Sequence, residues 1–126
     1  MQINKSNMGA FVISKRFNGQ YKFVFTSRKG KTIFTSNGFD DKESCEAEIE
    51  KLRQSIPVLV FSKQKASGGR FMFRILFEDT QIAVSRKYST ELRVQKGIDE
   101  IVKSAATAEI LDFSENAFVF EDEAEC

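Results

Sequence analysis

The sequence has no histidine and no tryptophan, a single proline and only two cysteines in 126 residues. Lack of histidine removes the commonest general acid/base, the commonest zinc ligand and the side chain that titrates near neutrality. Cys45 falls inside a predicted helix and Cys126 is the last residue. That spacing is neither a disulfide framework nor a metal-binding pattern, and a reducing, cytoplasmic compartment is expected. No apolar run approaches the length that spans a bilayer, so no membrane partner is expected. Met1-Gln2-Ile3-Asn4-Lys5 lacks the apolar core of a signal peptide, which fits a soluble protein.

What is abundant is phenylalanine, thirteen residues of it. Phe favours pleated, half-buried surfaces, so the composition points to a sheet-based core. The net charge of +1 conceals an imbalance. Residues 1–110 hold all nineteen Lys and Arg against twelve acids, a net +7, and the remainder carries −6. A basic body with an acidic end bears on partners or self-shielding rather than on fold.

An internal repeat organises the chain. Phe11-Val12-Ile13-Ser14-Lys15 matches Leu59-Val60-Phe61-Ser62-Lys63 at an offset of 48. Asn18-Gly19-Gln20-Tyr21-Lys22-Phe23 matches Gly68-Gly69-Arg70-Phe71-Met72-Phe73 at 50, and Thr32-Ile33-Phe34-Thr35-Ser36 matches Gln81-Ile82-Ala83-Val84-Ser85 at 49. In each copy apolar residues first alternate, as in Tyr21, Phe23, Phe25 and in Phe71, Phe73, Ile75, Phe77, a strand signal. Asn18-Gly19 predicts a tight hairpin, since both positions of a type I′ turn need positive φ, and Gly68-Gly69 does the same in the second copy. The period then changes: Cys45, Ile49, Leu52, Ile56 and Val94, Ile98, Ile101, Ala105 each form one helical stripe. Asp40 with Glu43 is a capping-box pattern for the first helix, and Ser89 is the cap candidate for the second. Pro57 stops the first helix, a strand Val58–Lys63 follows, and Glu109–Phe113 and Ala117–Phe120 read as late strands.

These elements predict one α+β domain over residues 1–126. Repeat 1 covers 9–56, repeat 2 covers 57–113, and 114–126 is an acidic tail. The two tandem β3-α(-β) repeats form one antiparallel-rich sheet with both helices on one face. Phe11, Ile13, Tyr21, Phe23, Phe25, Phe71, Phe73 and Ile75 belong to the buried face.

Read as a whole, the repeat resembles the YegP-like family, tandem copies of a short domain of unknown function. The likeness is carried by Gly9 to Lys15, Asn18 to Phe23, Ile33 to Ser36 and Gly38-Phe39. In the second copy it is carried by Ser62-Lys63, Gly69 to Phe73, Tyr88-Ser89 and Gly97 to Ala105. The resemblance implies β3-α-β units joined by exchange of the strand after each helix, and no catalytic residues transfer with it. Ala47-Glu48-Ile49 departs from the family's Gly-Ile step, and Phe77-Glu78-Asp79-Thr80 from its Gly-bearing turn.

The residues do not compose a catalytic, metal or cofactor site. Ser14-Lys15 and Ser62-Lys63 are strand neighbours whose side chains leave opposite faces. Cys45 reads as a small buried hydrophobe, and Asp40-Asp41 and Asp99-Glu100 as capping and solvated pairs. No glycine loop precedes a helix in the way a phosphate site requires. The candidate surface is the sheet face away from the helices, with Val12, Lys22, Val24, Phe34, Met72, Arg74 and Leu76. On this reading the protein is a non-enzymatic interaction or structural module for a protein partner or a second copy of itself. Single-stranded nucleic acid, stacked on Phe34 and held by Lys22 and Arg74, is the alternative.

Overall fold

The computed structural model describes residues 9–115. The elements run β1 (Ala10–Lys15), β2 (Tyr21–Thr26), β3 (Thr32–Ser36), α1 (Lys42–Gln54), β4 (Val60–Ala66), β5 (Arg70–Phe77), β6 (Thr80–Ser85), α2 (Glu91–Ser104) and β7 (Glu109–Asp112). They build one seven-stranded sheet in the order β4-β5-β6-β3-β2-β1-β7. Each repeat supplies an antiparallel meander, and the meanders join through the antiparallel pair β3–β6. The strand after α2 crosses to the other repeat, where β7 lies parallel to β1.

Alternation sends Phe11, Ile13, Phe23, Phe25, Phe73 and Ile75 inward, where they share one core with the helix stripes Cys45-Ile49-Leu52 and Val94-Ile98-Ile101. Tyr21 and Phe71 are only half-buried at the margin of that core. Burying each large apolar side chain contributes about 1.5–3 kcal/mol, which suffices to hold two amphipathic helices on one sheet face. The aromatic rings interlock: Phe25 stacks on Phe34 at 5.7 Å, and Phe11 meets Phe23 edge-on at 5.8 Å.

Two β-bulges, one per repeat, set which side chains face inward. Phe25 faces Phe34 but Thr26 faces Thr32, so Ile33 is the extra residue. Ile75 faces Ala83 but Leu76 faces Gln81, so Ile82 is its counterpart 49 residues later. A bulge breaks strict alternation, and both Ile33-Phe34 and Ile82-Ala83 are buried as consecutive pairs. This overturns the open-face assignment of Phe34. Its ring is 0% exposed and lies in the helix-covered core.

Both repeats use the same buried serine. Ser36 Oγ accepts from the Phe23 N–H at 2.9 Å and donates to the Asn37 carbonyl at 2.7 Å. Ser85 Oγ accepts from the Phe73 N–H at 2.9 Å and donates to the Arg86 carbonyl at 2.6 Å. Each hydroxyl satisfies a buried backbone donor that would otherwise lack a partner.

Local readings shift in four places. The first-strand offset is 50 rather than 48, because Phe11 faces Phe25 where Phe61 faces Ile75. Lys63 therefore occupies the place of Ile13, and β4 begins at Val60 and extends to Ala66. The helix caps are the residues following those expected. Asp41 accepts from Ser44 N at 2.7 Å, and Thr90 accepts from Arg93 N at 3.1 Å. Asp40 instead accepts from Gln20 Nε2. The Asn18-Gly19 turn is not type I′: only Gly19 has positive φ, +89°, within a turn closed by Gly19 N–H to the Arg16 carbonyl at 2.9 Å. Gly68-Gly69 does have both φ positive, at 71° and 74°, and so does the two-residue turn Glu78-Asp79, at 50° and 69°. Ala117–Phe120 lies outside the described residues.

Candidate interaction surface

The pairing registers carry one row of side chains across the uncovered face of all seven strands. It runs Leu111, Val12, Val24, Thr35, Val84, Arg74, Ser62. Every member is partly exposed. The row is apolar or β-branched over five strands and turns polar at Arg74. There the guanidinium lies between two amides, with Nε on Gln64 Oε1 at 3.0 Å and Nη1 on Gln81 Oε1 at 2.9 Å. Two such bonds fix the cation before anything binds, which lowers the ordering cost of an encounter.

Of the residues singled out from sequence, Val12, Val24 and Arg74 are members of this row, and Lys22, Met72 and Leu76 have its strand parity. Phe34 is not among them. The bulge at Ile33 turns it inward, and the base-stacking ring on which single-strand binding depended is lost to the core. Thr35, Val84 and Leu111 were missed, as were the two amides that hold Arg74. The adjacent apolar pairs Ile33-Phe34 and Ile82-Ala83 were the available signal, since a period-two strand with one doubled apolar position implies a bulge.

A second cluster lies where β7 ends. Lys42 Nζ, at the start of α1, is 2.9 Å from both Asp112 Oδ2 and Glu115 Oε2. Asp112 Oδ1 also accepts from Ser114 N and Oγ, at 2.8 and 2.6 Å. Burial opposes the Asp112 charge, but the bonds from Ser114 and Lys42 outweigh it and hold the carboxyl below its usual range. The same bonds, from Asp112 first and Glu115 second, raise the Lys42 ammonium. The cluster ties the last strand to the first helix and leaves neither partner poised for proton transfer. Burial, with Glu46 next, pushes the Cys45 thiol up to about 12, so it stays a neutral core group. Among the described residues no three His, Cys, Asp or Glu side chains gather as a metal site, and no helix is long and apolar enough to cross a membrane.

The fold and this surface define a two-layer α+β protein made of two copies of one small unit. The pattern of a domain of unknown function, DUF1508, matches it twice, at residues 18–58 and 66–112, and the chain belongs to that family. It is 30% identical over 106 residues to the UPF0339 protein YegP of Escherichia coli K12, covering 82% of this chain and 96% of YegP. It is 28% identical over 106 residues to a UPF0339 protein in the ptx operon 5′ region of Stutzerimonas stutzeri, at the same coverage. The solution NMR structure of E. coli YegP superposes with a TM-score of 0.75 at 29% identity, covering 85% of this chain and 94% of YegP. That of a Shewanella oneidensis UPF0339 protein gives 0.76 at 26%, covering 86% and 93%. These relatives are uncharacterised, and nothing in the comparisons points to catalysis or to nucleic acid.

Proposed function

We propose that this protein is a non-catalytic binding module whose uncovered sheet face receives a partner protein. The observation that carries this is the row from Leu111 to Val84, five strands wide, ending at an arginine held between Gln64 and Gln81. Partly exposed apolar side chains beside a pre-ordered arginine are the composition of protein-binding patches. Lys22 and Met72, next to the row, add a second cation and an adaptable apolar contact.

The test uses a photo-crosslinking residue placed at Val24, at Val84 and, as a control, at Val102, which is 52% exposed on α2. A partner captured from Val24 and Val84 but not from Val102 is the expected result. Equal capture from Val102, or none from either sheet position, would remove the reading.

A further inference from the structure

The sheet has two outer strands, β4 and β7, and they are not alike. In repeat 1, β1 has neighbours on both sides, β2 and β7. Its counterpart in repeat 2, β4, pairs among the described residues with β5 alone. Among the described residues, no strand lies beside β4 as β7 lies beside β1. The exposed side chains agree. Val60, which opens β4, is 53% exposed, whereas its counterpart Ala10, beside β7, is 9% exposed.

Next to that edge is a cleft of about 110 Å³ between β4 and the start of α2, lined among others by Lys63, Lys65, Phe71, Glu91 and Val94. Its floor is apolar and its rim carries two lysines. In repeat 1 the matching space, between β1 and the start of α1, is closed by Asp112 and Glu115 reaching Lys42. Glu91, 49 residues after Lys42, reverses that charge, and Lys63 replaces the buried Ile13.

Inward-pointing lysines on an edge strand deter apolar strands from adding to it. They do not deter an acidic one, so the same residues that block general aggregation select for a strand whose apolar side chains are followed by carboxylates. The strand beside β1 has that order, Ile110-Leu111 and then Asp112. Outside the helices and the strands already paired, Phe118-Val119-Phe120, then Glu121-Asp122-Glu123, has the same order.

We infer that the free edge of β4 accepts residues 117–123 of a second copy of this chain as an added parallel strand. With Val119 in the place of Leu111, Phe118 stands where Ile110 stands and Phe120 enters the cleft above Phe71 and Val94. Asp122 comes beside Lys65. Strand addition of this kind takes affinity from the backbone ladder and selectivity from alternate side chains. The copy must be a second one. β4 is six strand spacings from β7, about 29 Å, whereas Phe120 lies five residues beyond Glu115, a reach of about 17 Å. If two copies exchange these segments, the product is a closed dimer.

Sedimentation of the full chain over a concentration series tests this, beside two full-length double variants, Lys63→Glu/Lys65→Glu and Phe118→Ser/Phe120→Ser. The wild type should dimerise, and the tail variant should be monomeric. The edge variant should dimerise roughly tenfold more weakly or worse. Mixing the two variants should restore a weak heterodimer, because one intact edge then meets one intact tail. A peptide of residues 116–125 added to the tail variant should shift amide resonances of Val60–Ala66 and Val94. A wild type that stays monomeric, a tail variant that dimerises like wild type, or peptide shifts confined to Val12, Val24 and Val84 would each overturn the inference. None of these readouts depends on the partner-binding role of the uncovered face, which the crosslinking test decides separately.

Discussion

Thr35 lies directly opposite Val84, the residue that the offset of 49 makes its own equivalent. Its neighbours obey the same relation: Phe34 faces Ser85, and Ser36 faces Ala83. The pairing that joins the two repeats is therefore self-complementary, as at an interface between identical subunits. It also brings the two serine latches onto adjoining strands at the centre of the sheet.

Replacing either latch should be costly. Ser36→Ala or Ser85→Ala leaves the buried N–H of Phe23 or Phe73 without its partner, and each should destabilise the protein by about 1–3 kcal/mol in urea unfolding. Because the two sites are close, the double variant should depart measurably from the sum. Loss below about 0.3 kcal/mol for both would mean that water replaces the hydroxyls.

Phe34→Ala should behave as a core truncation. A fully buried ring stacked on Phe25 removed without compensation costs about 3–5 kcal/mol. The measurable sign is a large fall in melting temperature, whereas a variant of unchanged stability would return Phe34 to the surface.

The Glu78-Asp79 turn holds two non-glycine residues at positive φ, a conformation that costs L-residues about 1–2 kcal/mol each. Glu78→Asn with Asp79→Gly supplies residues suited to that turn and should raise stability by about 1 kcal/mol in denaturant titration. A decrease would show that a side chain here makes a compensating contact.

The Lys42–Asp112 pair predicts acid sensitivity at the β7 edge. Asp112 is held below its ordinary value of 3.8, so the folded form favours the carboxylate more than the unfolded chain does. Its contribution is present above that value and is lost as pH falls through the lowered one. Amide exchange in Glu109–Asp112, compared at pH 6 and at a pH well below 3.8 after correction for intrinsic rates, should show earlier loss of protection than in β5. Asp112→Asn should abolish the difference between the two strands.

Much of this fold was visible as period. The duplication, the alternating Phe positions and both helix stripes come from contacts between near neighbours or from face-wide burial, and both leave a rhythm in the residues. What a rhythm could not reveal was phase. One extra residue at Ile33 and another at Ile82 reversed the face of what followed, and a two-residue change of offset put Lys63 where Ile13 had a place. The caps moved by one because Asp40 and Asp41, like Ser89 and Thr90, are neighbouring oxygens of equal aptitude, and only backbone geometry chooses between them. The contacts of Lys42 with Asp112 and Glu115 join residues some seventy positions apart, and no local pattern announces them. On the uncovered face the strands' parity was readable, so Lys22, Val24, Met72, Arg74 and Leu76 were found. The amides of Gln64 and Gln81 were not, since they matter only through their distance to Arg74.

The strand pair centred on Thr35 and Val84 has a consequence for how this molecule can change. A homodimer assembled from one such half must carry the same residue at both symmetric places, so any substitution is made twice. Here the halves are one chain, held together at the high effective concentration of a short tether, and each can drift independently. Val24 in one half and Arg74 in the other, or Ile13 and Lys63, are combinations closed to the homodimer. Fusion thus gave a symmetric scaffold two different ends.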